Sequence, residues 1–130
     1  MVLWVCNYHI VWATRNRQPL ITPSVEVIIL AAIKRKSHEL TSSIMAINMV
    51  EDHIHVAVKI HPKTSISEWV RQAKGLSARE INERLPDLIT HFRWQQGYSV
   101  HTFGEKHKQF VINYIERQKE HHQNQTTEPY

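Results

Sequence analysis

Apolar and polar positions along the chain fall into segments whose period changes between two and about three and a half residues. Residues 3–13 are dense in Val, Ile, Trp and Tyr and alternate poorly, which predicts a central strand. Arg15, Asn16, Arg17, Gln18 and Pro19 end it in a basic loop. Thr22-Pro23 then starts a helix, with threonine as N-cap and proline at the first helical position. Val27, Ile28, Leu30, Ala31 and Ile33 supply its apolar face, and Lys34, Arg35 and Lys36 suit its negative C-terminal end. Residues 44–50 and 53–60 predict two strands joined tightly at Glu51-Asp52, and Pro62 closes the second.

Ser65-Ile66-Ser67-Glu68 is a capping box, so a helix begins at Ile66. Its buried stripe is Ile66, Trp69, Val70, Ala73 and Leu76. Gly75 weakens it by ~1 kcal/mol relative to alanine. Ser77-Ala78-Arg79-Glu80 can cap a second segment, so the pattern allows a kink near Gly75 before Pro86 stops the helix. Residues 86–97 are an irregular connector carrying Phe92, Trp94 and Gly97. Residues 98–103 predict a fourth strand and 105–122 a last helix with Phe110, Val111, Tyr114 and Ile115 as its core stripe. The polar tail 123–130 is expected to be disordered.

The order strand, helix, strand, strand, helix, strand is the split βαβ pattern of ferredoxin-like α+β folds: an antiparallel sheet with helices on one face, here followed by a C-terminal helix. Residues 1–122 form one domain, long enough to bury roughly two-thirds of its unfolded surface. Cys6 is the single cysteine, which rules out an internal disulfide and predicts a small buried hydrophobe. Asn7, His9, Arg15 and Arg17 interrupt the first apolar stretch, so neither a leader nor a membrane span of ~18 apolar residues is expected, and the expected location is the cytoplasm. The formal charge is +4 with a pI near 9.4. Basic residues cluster at Arg15 and Arg17, at Lys34 to Lys36, at Arg71, Lys74 and Arg79, and at Lys106 and Lys108, which favours nucleic acid as partner.

Two features carry chemistry. His53 and His55 stand at i and i+2 of a predicted strand and share one face, while Ile54, Val56 and Val58 fill the other. Neither imidazole is expected in the core. Two adjacent imidazoles can take one divalent metal; a solvated strand face would look the same. On the last helix the apolar stripe turns polar, running from Tyr114 to Gln118 and then to His121 and His122. Tyr114 and Gln118 are neighbours at i and i+4, although a helix end fraying into solvent fits this pattern too. Together, His53, His55 and Gln118 offer two nitrogens and an oxygen, a set that suits Mg²⁺ or Mn²⁺ on a phosphate; imidazoles alone also take Zn²⁺ or Ni²⁺. Tyr114 is then the candidate nucleophile, a phenol of pKa about 10 that needs a nearby cation or base.

Asp52 either orients an imidazole or serves the turn. His121 and His122 either assist proton transfer and phosphate contact or end the helix in solvent. His9 reads as a satisfied core histidine and Trp69 as core, while Trp94 is either a base platform or packing. Arg15, Arg17, Arg71, Lys74 and Arg79 are phosphate-contact candidates, with plain solvation as the alternative for each. The chain holds no Gly-rich phosphate loop, CxxC pair or serine elbow.

Five motifs occur in order: Asn7-Tyr8-His9-Ile10-Val11-Trp12 before the basic loop, Asp52-His53-Ile54-His55, Lys74-Gly75-Leu76-Ser77, Trp94-Gln95-Gln96-Gly97-Tyr98, and Tyr114 through His122. With these, the chain resembles the insertion-sequence 200/605 family of transposases, within the HUH single-strand endonuclease superfamily, over about residues 4–122. The resemblance implies that Tyr114 attacks a single-stranded DNA phosphodiester, forming a 5′-phosphotyrosine link and freeing a 3′-hydroxyl. It implies His53, His55 and Gln118 as metal ligands, DNA hairpins as substrate, and a homodimer whose active sites are shared between subunits. Family members commonly continue past the His-His pair, which keeps a domesticated relative among the expectations. Two further readings stand beside it. One is an inactive ferredoxin-like module gripping single-stranded nucleic acid, although the Lys/Arg-Gly-Phe/Tyr run of RNA-recognition sheets is missing. The other is a metal-dependent phosphodiesterase that uses water and leaves Tyr114 structural.

Overall fold

A computed structural model describes residues 3–123, with backbone alone for His122 and Gln123; the predicted tail beyond 123 lies outside the described residues. Four strands form one antiparallel sheet in the order β2-β3-β1-β4: β1 Asn7–Ala13, β2 Ser43–Met49, β3 His53–Lys59 and β4 Ser99–Thr102. This is the ferredoxin-like arrangement the element order predicts. Strand β1 begins four residues later than expected, because Leu3 and Val5 face solvent. Cys6 is half-buried rather than core, although its carbonyl still accepts from the Ile60 N–H at 3.0 Å.

Helix α1, Pro23–Glu39, is capped as predicted: the Val25 N–H donates to Thr22 Oγ1 at 3.4 Å. Its buried stripe is Val25, Ile28, Ile29, Ala32 and Ile33, so the apolar face is rotated from the expected one. Val27 and Ala31 look outward. The i, i+3, i+4, i+7, i+8 series starting at Val25 sets the contact, and the other apolar residues are surplus to it. Helix α2, Ile66–Arg84, has the Glu68 N–H donating to Ser65 Oγ at 3.1 Å. It runs unbroken through Gly75, so the kink does not form. Ser77, instead of capping a new segment, donates its hydroxyl to the Ala73 carbonyl at 2.7 Å.

Helices α1 and α2 pack together on one sheet face, against Ile10, Trp12, Ile54, Val56 and Val58. Trp69 is fully buried there, as expected, and its Nε1–H donates to Ser42 Oγ at 2.9 Å.

The opposite face is not solvated. Helix α3, Lys108–Glu116, lies across β2 and β3 and buries Ile115 against Ala46 and Ala57. This corrects the expectation that the histidine face is open: His53 is 8% exposed and His55 0%.

The last helix is also not continuous. A 3-10 turn at Glu105–His107 precedes α3, and a break at Arg117 separates it from α4, Gln118–Gln123. Asn48 of β2 makes the break: its Nδ2 donates to the carbonyls of Ile115 and Glu116, both at 3.1 Å, taking acceptors that a continuing helix would use. Lys119 locks the joint by donating to Glu26, to Asn48 Oδ1 and to the Met49 carbonyl. The stripe of α3 is correspondingly Val111, Ile112, Tyr114 and Ile115, whereas Phe110 is 74% exposed. Among the described residues no helix is long and apolar enough to cross a membrane.

Candidate active site

Strand pairing assembles the site. On β3 His53 and His55 point to the face covered by α3, opposite Ala13 and Val11 of β1. His9, two residues before Val11 on β1, emerges on the same face. The rings form a chain: His53 to His55 at 5.2 Å, His55 to His9 at 5.1 Å, and Tyr114 of α3 at 6.0 Å from both His9 and His55. His121 of α4 extends it, 5.2 Å from the Tyr114 ring. The structure thus gathers His9, His53, His55, Tyr114 and His121 from four elements, β1, β3, α3 and α4. The side chain of His122 lies outside the described residues.

Each β3 histidine is held by a different partner. Asp52 Oδ1 lies 2.7 Å from His53 Nδ1, and a carboxylate there only accepts, so Nδ1 carries the proton. Asp52 is therefore an orienting residue as well as a turn residue. Burial alone would raise its carboxyl, but the bond and charge from His53, with Arg17, hold it below its ordinary value. Arg17 pairs with Asp52 at 3.4 Å and reaches to 3.3 Å from His53 Nδ1. Asn16 and Arg17 both adopt left-handed backbone, φ 55° and 52°, a strained loop pinned by the Asn16 N–H on Gln95 Oε1 at 2.9 Å.

His55 Nδ1 lies 2.9 Å from His9 Nε2, and His55 Nε2 is buried with no hydrogen-bond partner. Burial, then the charges of His9, His53 and His121, push His55 down to about 3; burial, then His101, pushes His9 down to about 4. Both imidazoles are neutral near pH 7, as metal ligation requires.

An orphaned, buried, neutral imidazole nitrogen beside a second oriented histidine fits a divalent cation. Among the described residues no three His, Cys, Asp or Glu side chains gather to hold one, so a third protein ligand would come from another residue type or the backbone. Gln118 is 4% exposed, and its Nε2 donates to the Tyr114 carbonyl at 3.3 Å, which leaves Oε1 as the atom it can offer.

The predicted phosphate contacts separate into two groups. Arg15 is exposed and Arg17 sits on Asp52, both at the end of β1 beside the site. Arg71, Lys74, Arg79 and Trp94 line a groove of about 820 Å³ between α2 and residues 91–98, together with Arg93 and Tyr98. The Lys74 ammonium is spent on the carbonyls of Gln95 at 2.9 Å and Gly97 at 2.6 Å, so it fastens the connector. Arg71 is engaged bidentately by Glu68. Trp94 packs edge-on against Trp12 and Phe92 and donates to Ser77 Oγ at 3.0 Å, so it floors the groove. Tyr98 is the more exposed aromatic there.

Sequence reasoning missed His9 as a site residue. The signal was its alternation with Asn7 and Val11 on a strand facing β3, but assigning it needs the β1/β3 register.

An antiparallel sheet whose buried histidine pair faces a tyrosine on a covering helix defines an α+β domain with a histidine–tyrosine candidate site. Comparison with known proteins agrees. The family model described as "Transposase IS200 like" matches residues 2–118. The transposase for insertion sequence element IS200 of Salmonella typhimurium is 30% identical over 121 residues, covering 90% of this chain and 79% of that protein. The ISDra2 transposase TnpA of Deinococcus radiodurans is 22% identical over 116 residues, covering 86% and 83%. Two solved structures share the fold. One, from Deinococcus radiodurans R1 and assigned to the transposases, has a TM-score of 0.73 at 24% identity, over 90% of this chain and 93% of that one. The other, a REP-associated tyrosine transposase bound to a REP hairpin, has a TM-score of 0.72 at 15% identity, over 94% and 73%. The chain belongs to the IS200-like transposase family.

Proposed function

We propose that this transposase cleaves and rejoins single-stranded DNA at hairpin-flanked ends through a covalent 5′-phosphotyrosine intermediate on Tyr114. The observation that carries the reading is the Tyr114 ring 6.0 Å from His55, whose Nε2 is buried and unpartnered. The Tyr114 oxygen attacks phosphorus; the tyrosyl O–P bond forms, the P–O3′ bond breaks, and the 3′ oxygen leaves with a proton. His121, whose ring centroid lies 5.2 Å from that of the phenol, would accept the tyrosyl proton. Rejoining is the reverse, a 3′-hydroxyl attacking the phosphotyrosine. Mg²⁺ or Mn²⁺ held by His53, His55 and Gln118 would draw charge from the phosphate oxygens. The expected result is a shifted protein–DNA band on a denaturing gel when the chain meets labelled hairpin-bearing single-stranded DNA with Mn²⁺, and no band with EDTA. Cleavage with Mn²⁺ that leaves no covalent adduct would instead establish water as nucleophile.

A hairpin substrate is supported by the REP hairpin in the structural neighbour's complex. The homodimer is part of the same proposal, supported by the exposed Phe110 on the helix that carries the nucleophile. Tyr114 lies beside its own chain's His55, so shared sites require α3 and α4 to exchange between subunits.

The groove between α2 and residues 91–98 is read as the track for unpaired DNA. The guanidinium groups of Arg79 and Arg93 make no hydrogen bond or ion pair among the described residues and would contact phosphates. Each phosphate neutralised on a single strand contributes about −0.7 to the slope of log affinity against log salt. Replacing Arg79 and Arg93 by alanine is expected to make that slope shallower by about 1.4, read by fluorescence anisotropy across a salt series. An unchanged slope places the track elsewhere.

A further inference from the structure

We infer that His9 is a positioning residue that selects the tautomer of His55, setting a bare Nε2 toward the site. The inference deepens the metal reading above and rests on it. Two neutral imidazoles 2.9 Å apart share one proton between the facing nitrogens, so one ring donates and the other accepts. If His9 Nε2–H donated, His55 would carry its own proton on Nε2. That N–H would be buried at a point where the described residues offer no acceptor, and could not ligate. If His55 Nδ1–H donates to His9 Nε2, the buried atom is a lone pair, which a cation can satisfy. The second arrangement is the one consistent with both the orphaned atom and its burial.

His53 and His55 therefore have parallel supports of unequal strength. Asp52 holds His53 with a carboxylate, while His9 holds His55 with a neutral nitrogen. No carboxylate is needed on the His9 side: the facing β4 residue is His101, and the β3 partner of His9 is Ala57. The stacked geometry of the two rings, 29° between planes, fixes the His55 ring plane as well as its proton.

The test uses the full chain. Long-range ¹⁵N–¹H correlation spectra of the metal-free protein near pH 7 report tautomers directly, and His55 should be the Nδ1–H form. In His9→Phe, which keeps an aromatic ring and removes the acceptor, His55 should move toward the Nε2–H form. Mn²⁺ binding by the same variant, followed by electron paramagnetic resonance, should weaken 10- to 100-fold, the usual cost of losing such an outer partner. His9→Gln, whose amide oxygen can reach the place of Nε2, should restore most of the affinity; a merely structural ring would not be rescued this way. An Nε2–H tautomer in the parent protein overturns the inference, as does parental Mn²⁺ affinity in His9→Phe. If the parent binds no Mn²⁺ while His55 is the Nδ1–H form and changes in His9→Phe, the metal reading falls and the tautomer role of His9 stands.

Discussion

A Tyr114→Phe variant is expected to fold and bind single-stranded DNA as the parent does, yet lose DNA cleavage by about 10³-fold or more and form no covalent adduct. The ring packs at the edge of the smaller core with Val111, Ile112 and Ile115, and against the His121 ring. Phenylalanine keeps those contacts, so stability should change by no more than about 1 kcal/mol. What disappears is the only atom of that side chain able to attack phosphorus. Thermal unfolding, anisotropy with hairpin DNA and a denaturing gel on the same preparation separate the three properties. Cleavage by the variant at the parental rate would make the tyrosine structural and hand the chemistry to water.

Replacing His53 and His55 together by alanine should abolish Mn²⁺ binding and cleavage, and should also cost stability. The stability cost follows from burial. His55 is wholly enclosed between the sheet and α3, so truncation empties a cavity and strips His9 of its partner, about 2 kcal/mol on the scale of buried large-to-small changes. His53 is nearer the surface, and its loss mainly frees Asp52 and Arg17. Calorimetry should therefore show His55→Ala lowering the melting temperature by several degrees and His53→Ala by less. Saturating the parent with Mn²⁺ at a hundred times its dissociation constant should add about 2.7 kcal/mol, and the double variant should show no such gain. Metal-dependent cleavage surviving in the double variant would remove both histidines from the mechanism.

The fold and the histidine pair of the candidate site are legible in the sequence for a local reason. Thr22, Ser65, the Glu51-Asp52 turn and Pro86 punctuate the chain within a few residues of the elements they bound, so the split βαβ order follows. His53 and His55 announce themselves because a strand places i and i+2 together whatever else surrounds it. What stayed hidden depends on residues far apart in sequence. His9 meets His55 only through the β1/β3 register. The break at Arg117 is imposed by Asn48 from β2, and the covering of the histidine face by α3 has no signature in β3 itself. Lys74 read as a free cation because its acceptors, the carbonyls of Gln95 and Gly97, are backbone groups of a connector without periodicity. The phase of α1 was misjudged because Val27 and Ala31 are apolar residues that the packing leaves outside.

Strand β3 belongs to both layers at once: Ile54, Val56 and Val58 to the large core, His53 and His55 to the candidate site, with neighbours paired on either edge. Such a strand opens only when the whole domain opens. The tyrosine half of the site is different, a nine-residue helix joined to the sheet through Asn48, Lys119 and a small apolar patch. Its release would expose far less surface than global unfolding. The two halves of the candidate site thus sit at opposite ends of the domain's local-opening scale: the imidazoles are a fixed anvil, and whatever travel the proposed reaction needs belongs to Tyr114.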